Sequence, residues 1–175
     1  MMPSDPQRLA YGKHPDQYAE LTLPDGGGTA PAQLPAVVVI IHGGYWRSRY
    51  TAELGRPAAQ DLAARGYACW NLEYRRAGSG GGWPETFEDI SAGIDALAPA
   101  APEYGLDLSR VTVLGHSAGG HLAVWAAGRT GAAVPVTAVV SQAGVLNLAE
   151  AMELNLSDGA VRNFLGSSPE ADPHR

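Results

Sequence analysis

Cysteine is almost absent from this chain: Cys69 is the only one in 175 residues. A lone thiol excludes an intrachain disulfide framework and suits a reducing compartment, so a cytoplasmic location is expected. Charge is sparse too. Charged residues make up 17% against 45% hydrophobic, a balance that excludes disorder and predicts a globular interior. The formal charge is −6 and no basic run occurs, which excludes the electrostatic footprint of a nucleic-acid binder. Long apolar runs are missing. The longest, Ala36–Ile41, is far too short to cross a bilayer, and the N-terminal MMPSDPQRLAYGKHP lacks the apolar centre of a secretory signal, so no membrane partner is expected. The five histidines are scattered, none paired with another histidine or with the cysteine at ligand spacing. No metal and no cofactor are expected.

What the chain does have is punctuation. Its 13 prolines and 22 glycines fall between apolar segments, without repeats and without a linker separating two domains. Residues 24–35 (PDGGGTAPAQLP) read as a long turn, and the GGG runs at 26–28 and 80–82 read as flexible turns without the lysine of a phosphate cradle. The run AVVVII at Ala36–Ile41 predicts a strand buried on both faces of a parallel sheet. A helix is predicted over 51–65, stopped by Gly66, and a second strand over 67–74. From Glu85, the residues Phe87, Ile90, Ile94 and Leu97 recur at helical spacing, and Pro99 is expected to end that helix. A third strand at 111–114, a helix at 118–128 with Leu122 and Trp125 on one face, and a fourth strand at 136–140 follow; residues 17–23 add an N-terminal strand. Strands alternating with helices predict an α/β fold, a mostly parallel sheet with helices on both faces. Residues 1–175 form one core in this reading.

Two segments carry chemistry. Gly115-His116-Ser117-Ala118-Gly119 fits G-x-S-x-G immediately after a β-branched strand and immediately before a helix. Glycines permit a turn too tight for side chains, so the serine projects from the sheet end while the helix N-terminus aims N–H groups at the same point. The second segment, His42-Gly43-Gly44-Tyr45-Trp46, follows the first buried strand, where an HGG loop supplies the other half of an oxyanion hole. Either segment alone reads equally as a glycine turn. Both at carboxyl ends of predicted strands mark the place where open α/β sheets hold ligands.

With HGGYW, YRRAG (residues 74–78) and GHSAGGHLA (residues 115–123), the chain resembles the α/β-hydrolases, and among them the kynurenine formamidase-like branch of arylformamidases and esterases, which shares an HGGXW loop. The resemblance implies Ser117 as nucleophile, with the main-chain N–H groups of Gly44, Tyr45 and Ala118 as the oxyanion hole. His42, Gly43, Trp46, Gly115 and Gly119 shape the two motifs. The reaction implied is hydrolysis of a formamide or carboxylic ester, N-formylkynurenine being the branch's named substrate, through an acyl-enzyme.

A serine needs a base and an acid, and in α/β-hydrolases these follow in the order Ser, Asp or Glu, His. Only residues 118–175 remain after Ser117, too few for the missing strands at about 30–40 residues per strand–helix unit. His121 lies one turn along the same helix and is expected to pack beside the elbow; His174 is penultimate, His14 precedes the core strands and His116 is the variable elbow position. Glu150, Glu153, Asp158, Glu170 and Asp172 read as solvated surface of a polar tail. The expectation is therefore a core truncated on its C-terminal side, with an incomplete triad and no assignable catalytic Asp or His. The strand at 136–140 then becomes an apolar sheet edge, which invites self-association. Two other readings stay open: a chain that binds a small acyl or aromatic ligand without catalysis, with Tyr45, Trp46, Trp70 and Trp83 as lining, or an acyltransferase on the same scaffold.

Overall fold

The computed structural model of the chain describes residues 5–24 and 33–166. Its frame is one six-stranded mixed sheet in the order β1-β2-β4-β3-β5-β6. The central strand β3, Ala36–Ile41, is β-branched almost throughout and buried on both faces, as its continuous apolar run predicts. It pairs in parallel with β4 (Ala68–Leu72) and β5 (Asp107–His116), and β5 pairs in parallel with β6 (Ala138–Gln142). On the other side β2 (Tyr18–Thr22) runs antiparallel to β4, and β1 (Gln7–Ala10), which the sequence reading did not anticipate, runs antiparallel to β2.

Alternation along β3 divides the core. Val37, Val39 and Ile41 face the larger side with Trp70, Leu72, Val111 and Val113, whereas Val38 and Ile40 face Ala59 and Ala63 of α1 (Arg56–Ala64). Helices α2 (Glu85–Asp95), α3 (Leu97–Tyr104), α4 (Ala118–Ala127), α5 (Leu148–Glu153) and α6 (Leu156–Leu165) contribute to the larger side. Full burial of the Phe87, Ile90 and Ile94 stripe on α2 is worth about 1.5–3 kcal/mol for each side chain. Helices thus cover both faces of a mixed sheet, the α/β arrangement expected. No helix among the described residues is long and apolar enough to cross a membrane.

Several boundaries differ from the sequence reading for identifiable reasons. Pro99 does not end the helix: α2 stops at Asp95 and Pro99 sits in the first turn of α3, where its missing N–H has no intrahelical acceptor to lose. Residues 52–55 form a 3-10 turn before α1, and Gly66 has φ +97°, the left-handed position predicted after that helix. The fourth strand begins at Ala138 rather than at 136, because Val134 is buried in the core and the Thr137 hydroxyl donates to the Val111 carbonyl. The polar tail is not solvated as a whole. Although Glu150 and Glu153 are exposed, α6 buries Ala160, Val161, Phe164 and Leu165. The glycine run at 26–28, most of the turn at 24–35, and Glu170, Asp172 and His174 lie outside the described residues.

Candidate active site

Two turns meet at the carboxyl ends of β3 and β5. In the first, residues 42–46, the chain turns through φ values of +110° at Gly44, +50° at Tyr45 and +55° at Trp46, a left-handed path that is strained for the two aromatic residues. Packing holds it there. Trp46 is fully buried and stacks on Phe164 of α6 at 4.6 Å and 9°, while its carbonyl accepts the Ala77 N–H at 2.9 Å. Gly44 has no room for a side chain, since a Cβ would come within 2.3 Å of the Tyr50 ring.

The second turn is the elbow. Ser117 has φ +54° and ψ −119° between the end of β5 and the start of α4, and its N–H donates to the Gln142 carbonyl of β6 at 2.8 Å. Ala118 opens the helix, so its N–H has no intrahelical acceptor and carries part of the positive end of the helix dipole. Glycines let the two turns touch. A Cβ on Gly119 would lie 2.0 Å from the Ile41 carbonyl oxygen and 2.6 Å from that of His42; one on Gly115 would lie 2.0 Å from the Gly119 carbonyl oxygen. A Cβ on Gly43 would meet the His116 carbonyl oxygen at 2.6 Å and Ser117 Cβ at 3.2 Å. The residues singled out in the two motifs are therefore brought into direct backbone contact, with Ser117 beside the 42–46 loop.

No side chain among the described residues hydrogen-bonds the Ser117 hydroxyl. His121, one turn along α4, packs edge-on against Trp46 at 5.5 Å and Phe87 at 5.9 Å, the packed role expected of it. Burial pushes its imidazole down to about 4, because the charged form is desolvated there and Nδ1 has no partner. Neutral His121 should therefore stabilise the fold above its unfolded value near 6.5, with that stability lost as pH falls through the window from about 6.5 to about 4. Urea unfolding at pH 7 and pH 4.5 should differ by on the order of 2–3 kcal/mol, and most of that difference should vanish in His121→Leu. An unchanged pH slope in the variant would remove His121 as the cause.

His42 is buried at the start of its loop. It is 3% exposed, its Nε2 lies 2.9 Å from Glu73 Oε1, and its ring stacks on Tyr74. Glu73 was missed by the sequence reading, which placed it in a strand; the signal available was a carboxylate inside a run of apolar residues, which needs a partner if buried. Of the aromatics considered as pocket lining, Trp46 and Trp70 are core residues, 0% and 1% exposed, while Tyr45 and Trp83 are half-buried. Cys69 is buried and its thiol is pushed up to about 12 by desolvation, which makes it an inert packing residue. A cavity of about 350 Å³ opens on the α1 side of the sheet, lined by Ile40, His42, Gly43, Leu114, His116 and Gln142 among others. Among the described residues no cluster of His, Cys, Asp and Glu is arranged to hold a metal.

Comparison with known proteins places this geometry. The chain is 31% identical to esterase LipC of Mycobacterium tuberculosis over 120 residues, 69% of this chain and 29% of LipC. It is 32% identical to a probable isoprenylcysteine alpha-carbonyl methylesterase of Arabidopsis thaliana over 115 residues, 66% of this chain and 23% of the relative. The chain thus spans about a quarter of the length of these curated relatives. Among solved structures, esterase B from Lactobacillus rhamnosis superposes with a TM-score of 0.78 at 26% identity, covering 99% of this chain and 59% of its own. The fold is that of the α/β-hydrolases, and, since the BD-FAE family model matches residues 27–175, the loop and the elbow included, the chain belongs to the BD-FAE family.

Proposed function

We propose that this chain carries the nucleophile and the oxyanion hole of a serine hydrolase acting on carboxylic esters. The observation that carries the reading is the close approach of Gly43 to the His116 carbonyl oxygen and to Ser117 Cβ, which sets the 42–46 loop against a serine on a strained elbow at a helix N-terminus. In the proposed reaction Ser117 Oγ bonds to the substrate carbonyl carbon and the carbonyl oxygen becomes an anion held by the N–H groups of Gly44, Tyr45 and Ala118. Collapse expels the alcohol, which takes up the serine proton through a base; water then attacks the acyl-enzyme by the same route in reverse order. The base is proposed to come from outside the described residues, on polypeptide that pairs with the open side of β6 and presents side chains at its carboxyl end, beside Ser117. The structural neighbour above, nearly covering this chain but covered to 59% itself, has chain to spare for such a role.

The names of the relatives favour esters over formamides; the HGGYW loop alone keeps the formamidase branch as the alternative substrate class. A p-nitrophenyl butyrate and N-formylkynurenine pair separates them, with intact mass read after quenching. An acyl adduct on the peptide containing Ser117 and faster release from the ester are expected. Formate release without ester cleavage would transfer the assignment to the formamidase branch, and adducts elsewhere would sink the serine reading. A reducing, cytoplasmic setting fits the single buried thiol.

A second reading concerns assembly. Among the described residues β6 is the sheet edge; Val140 within it and Leu146 beyond it are 45% and 56% exposed. Edges of this kind recruit other strands. The 175-residue chain is proposed to self-associate through β6: sedimentation velocity should show mass rising with concentration, and Val140→Lys should return it to the monomer. A wild-type chain that stays monomeric across that range would dispose of this reading.

A further inference from the structure

At the carboxyl end of β4, behind the 42–46 loop, Glu73 is 1% exposed and accepts hydrogen bonds at both oxygens. Oε1 takes the Tyr74 N–H at 3.0 Å and Arg76 Nη1 at 2.5 Å, and Oε2 takes the Ala52 N–H at 2.8 Å. With donors on both oxygens the group is a carboxylate with no proton to give. His42 Nε2, 2.9 Å from Oε1, must therefore donate. On the other side of the ring, Nδ1 lies 2.9 Å from the Gly43 carbonyl oxygen, which can only accept. Each ring nitrogen faces an acceptor, and neutral imidazole has a single N–H. His14 is the internal contrast, for its Nδ1 accepts the Asp16 N–H at 3.1 Å.

We infer that Glu73 holds His42 doubly protonated, as a buried imidazolium that positions the 43–45 loop and sets a fixed positive charge behind the proposed oxyanion hole. The surrounding charges agree. Arg76 bridges Glu73 and Asp16, the latter at 2.7 Å from Nη2, so that His42 and Arg76 balance Glu73 and Asp16 in a neutral cluster. The Tyr74 ring stacks on the imidazole at 4.6 Å, its electron-rich face toward the cation. The charge is tied to the loop through the main chain: the Tyr74 hydroxyl donates to the His42 carbonyl at 2.9 Å, and the next residue, Gly43, touches Ser117. Glu73 is a positioning residue, acting through His42. Its effect on the oxyanion rests on the hydrolase reading above; the protonation of His42 does not.

The test is a long-range proton–nitrogen spectrum of the full chain labelled with ¹⁵N-histidine, at pH 7, with the His42 ring assigned through its own backbone. Both His42 ring nitrogens should carry protons, and His14 Nδ1 should not carry one. Glu73→Gln, which keeps the shape and removes the charge, should leave one His42 nitrogen bare and slow phosphorylation of Ser117 by paraoxon by about tenfold, less than the loss of a direct oxyanion donor. A neutral His42 in the unmodified protein overturns the inference, as does a Glu73→Gln form that keeps both protons. An unchanged phosphorylation rate in that variant overturns the positioning role. Should Glu73→Gln fail to fold, the spectrum of the unmodified protein decides alone. A doubly protonated His42 beside a Ser117 that paraoxon never modifies, even in a polypeptide that carries the base, supports the ion pair and sinks the hydrolase reading; a neutral His42 beside a readily modified Ser117 does the reverse.

Discussion

In a polypeptide that also carries the base, Ser117→Ala is expected to abolish covalent labelling and to lower ester turnover by at least about 10³-fold, because the attack on the carbonyl then has no nucleophile for the base to activate. Stability should barely move. The hydroxyl makes no hydrogen bond among the described residues, and alanine meets the same left-handed strain at φ +54° that serine does, so the unfolding free energy should stay within about 0.5 kcal/mol. Intact mass after paraoxon treatment reads the first effect and thermal melting the second. The combination matters: lost labelling with an unchanged melt assigns the serine to chemistry, whereas lost labelling with a collapsed melt assigns it to structure. Undiminished turnover in Ser117→Ala would remove the serine mechanism altogether. Ligand binding by both forms, with turnover by neither, would favour the non-catalytic reading.

Gly119→Ala should be severely damaging for a single added methyl. The added carbon would fall 2.0 Å from the Ile41 carbonyl oxygen and 2.7 Å from its carbon, both of them backbone atoms of the central strand that no rotamer change can move aside. Relief requires α4 to lift from β3, separating the elbow from the 42–46 loop. We expect a loss of about 3 kcal/mol or more, a fall of roughly 6–12 °C in melting temperature for a chain of this size, together with loss of Ser117 labelling. Gly128→Ala is the control. Gly128 has an ordinary φ of −84° and its nearest obstacle lies at 3.4 Å, so that variant should melt within about 2 °C of the parent. Equal melts for the two variants would mean that the close packing of the loop on the elbow is not needed.

Much of the frame was legible from residue order because its causes are local. A β-branched run at Ala36–Ile41 can bury both faces only inside a sheet; Phe87, Ile90 and Ile94 share a side only if the chain is helical; Gly66 at φ +97° ends α1 because residues with side chains avoid that conformation. The elbow and the HGGYW loop were legible for the same reason: glycine spacing reports a turn that needs no distant partner to be recognised. Pro99 was misjudged because a proline is tolerated in the first turn of a helix, where N–H groups lack intrahelical acceptors, and Pro99 falls in the first turn of α3.

What stayed hidden depends on residues far apart in the chain. Glu73 looked like part of a strand; its role appears only when parallel pairing of β3 with β4 brings the two strand ends together and sets it against His42, 31 residues earlier. The acids Glu150, Glu153 and Asp158 of the tail are exposed as expected, but the apolar face of α6 that folds Phe164 onto Trp46 was not foreseen. By itself the sequence determined the α/β alternation, the two turns and the serine at the point of one of them, since periodicity and turn chemistry act over a few residues. Only the tertiary structure decided which backbone atoms touch Ser117, which carboxylate is buried behind the loop and which aromatic rings clamp it, because those contacts follow from strand order and packing, and neither is encoded within any one segment.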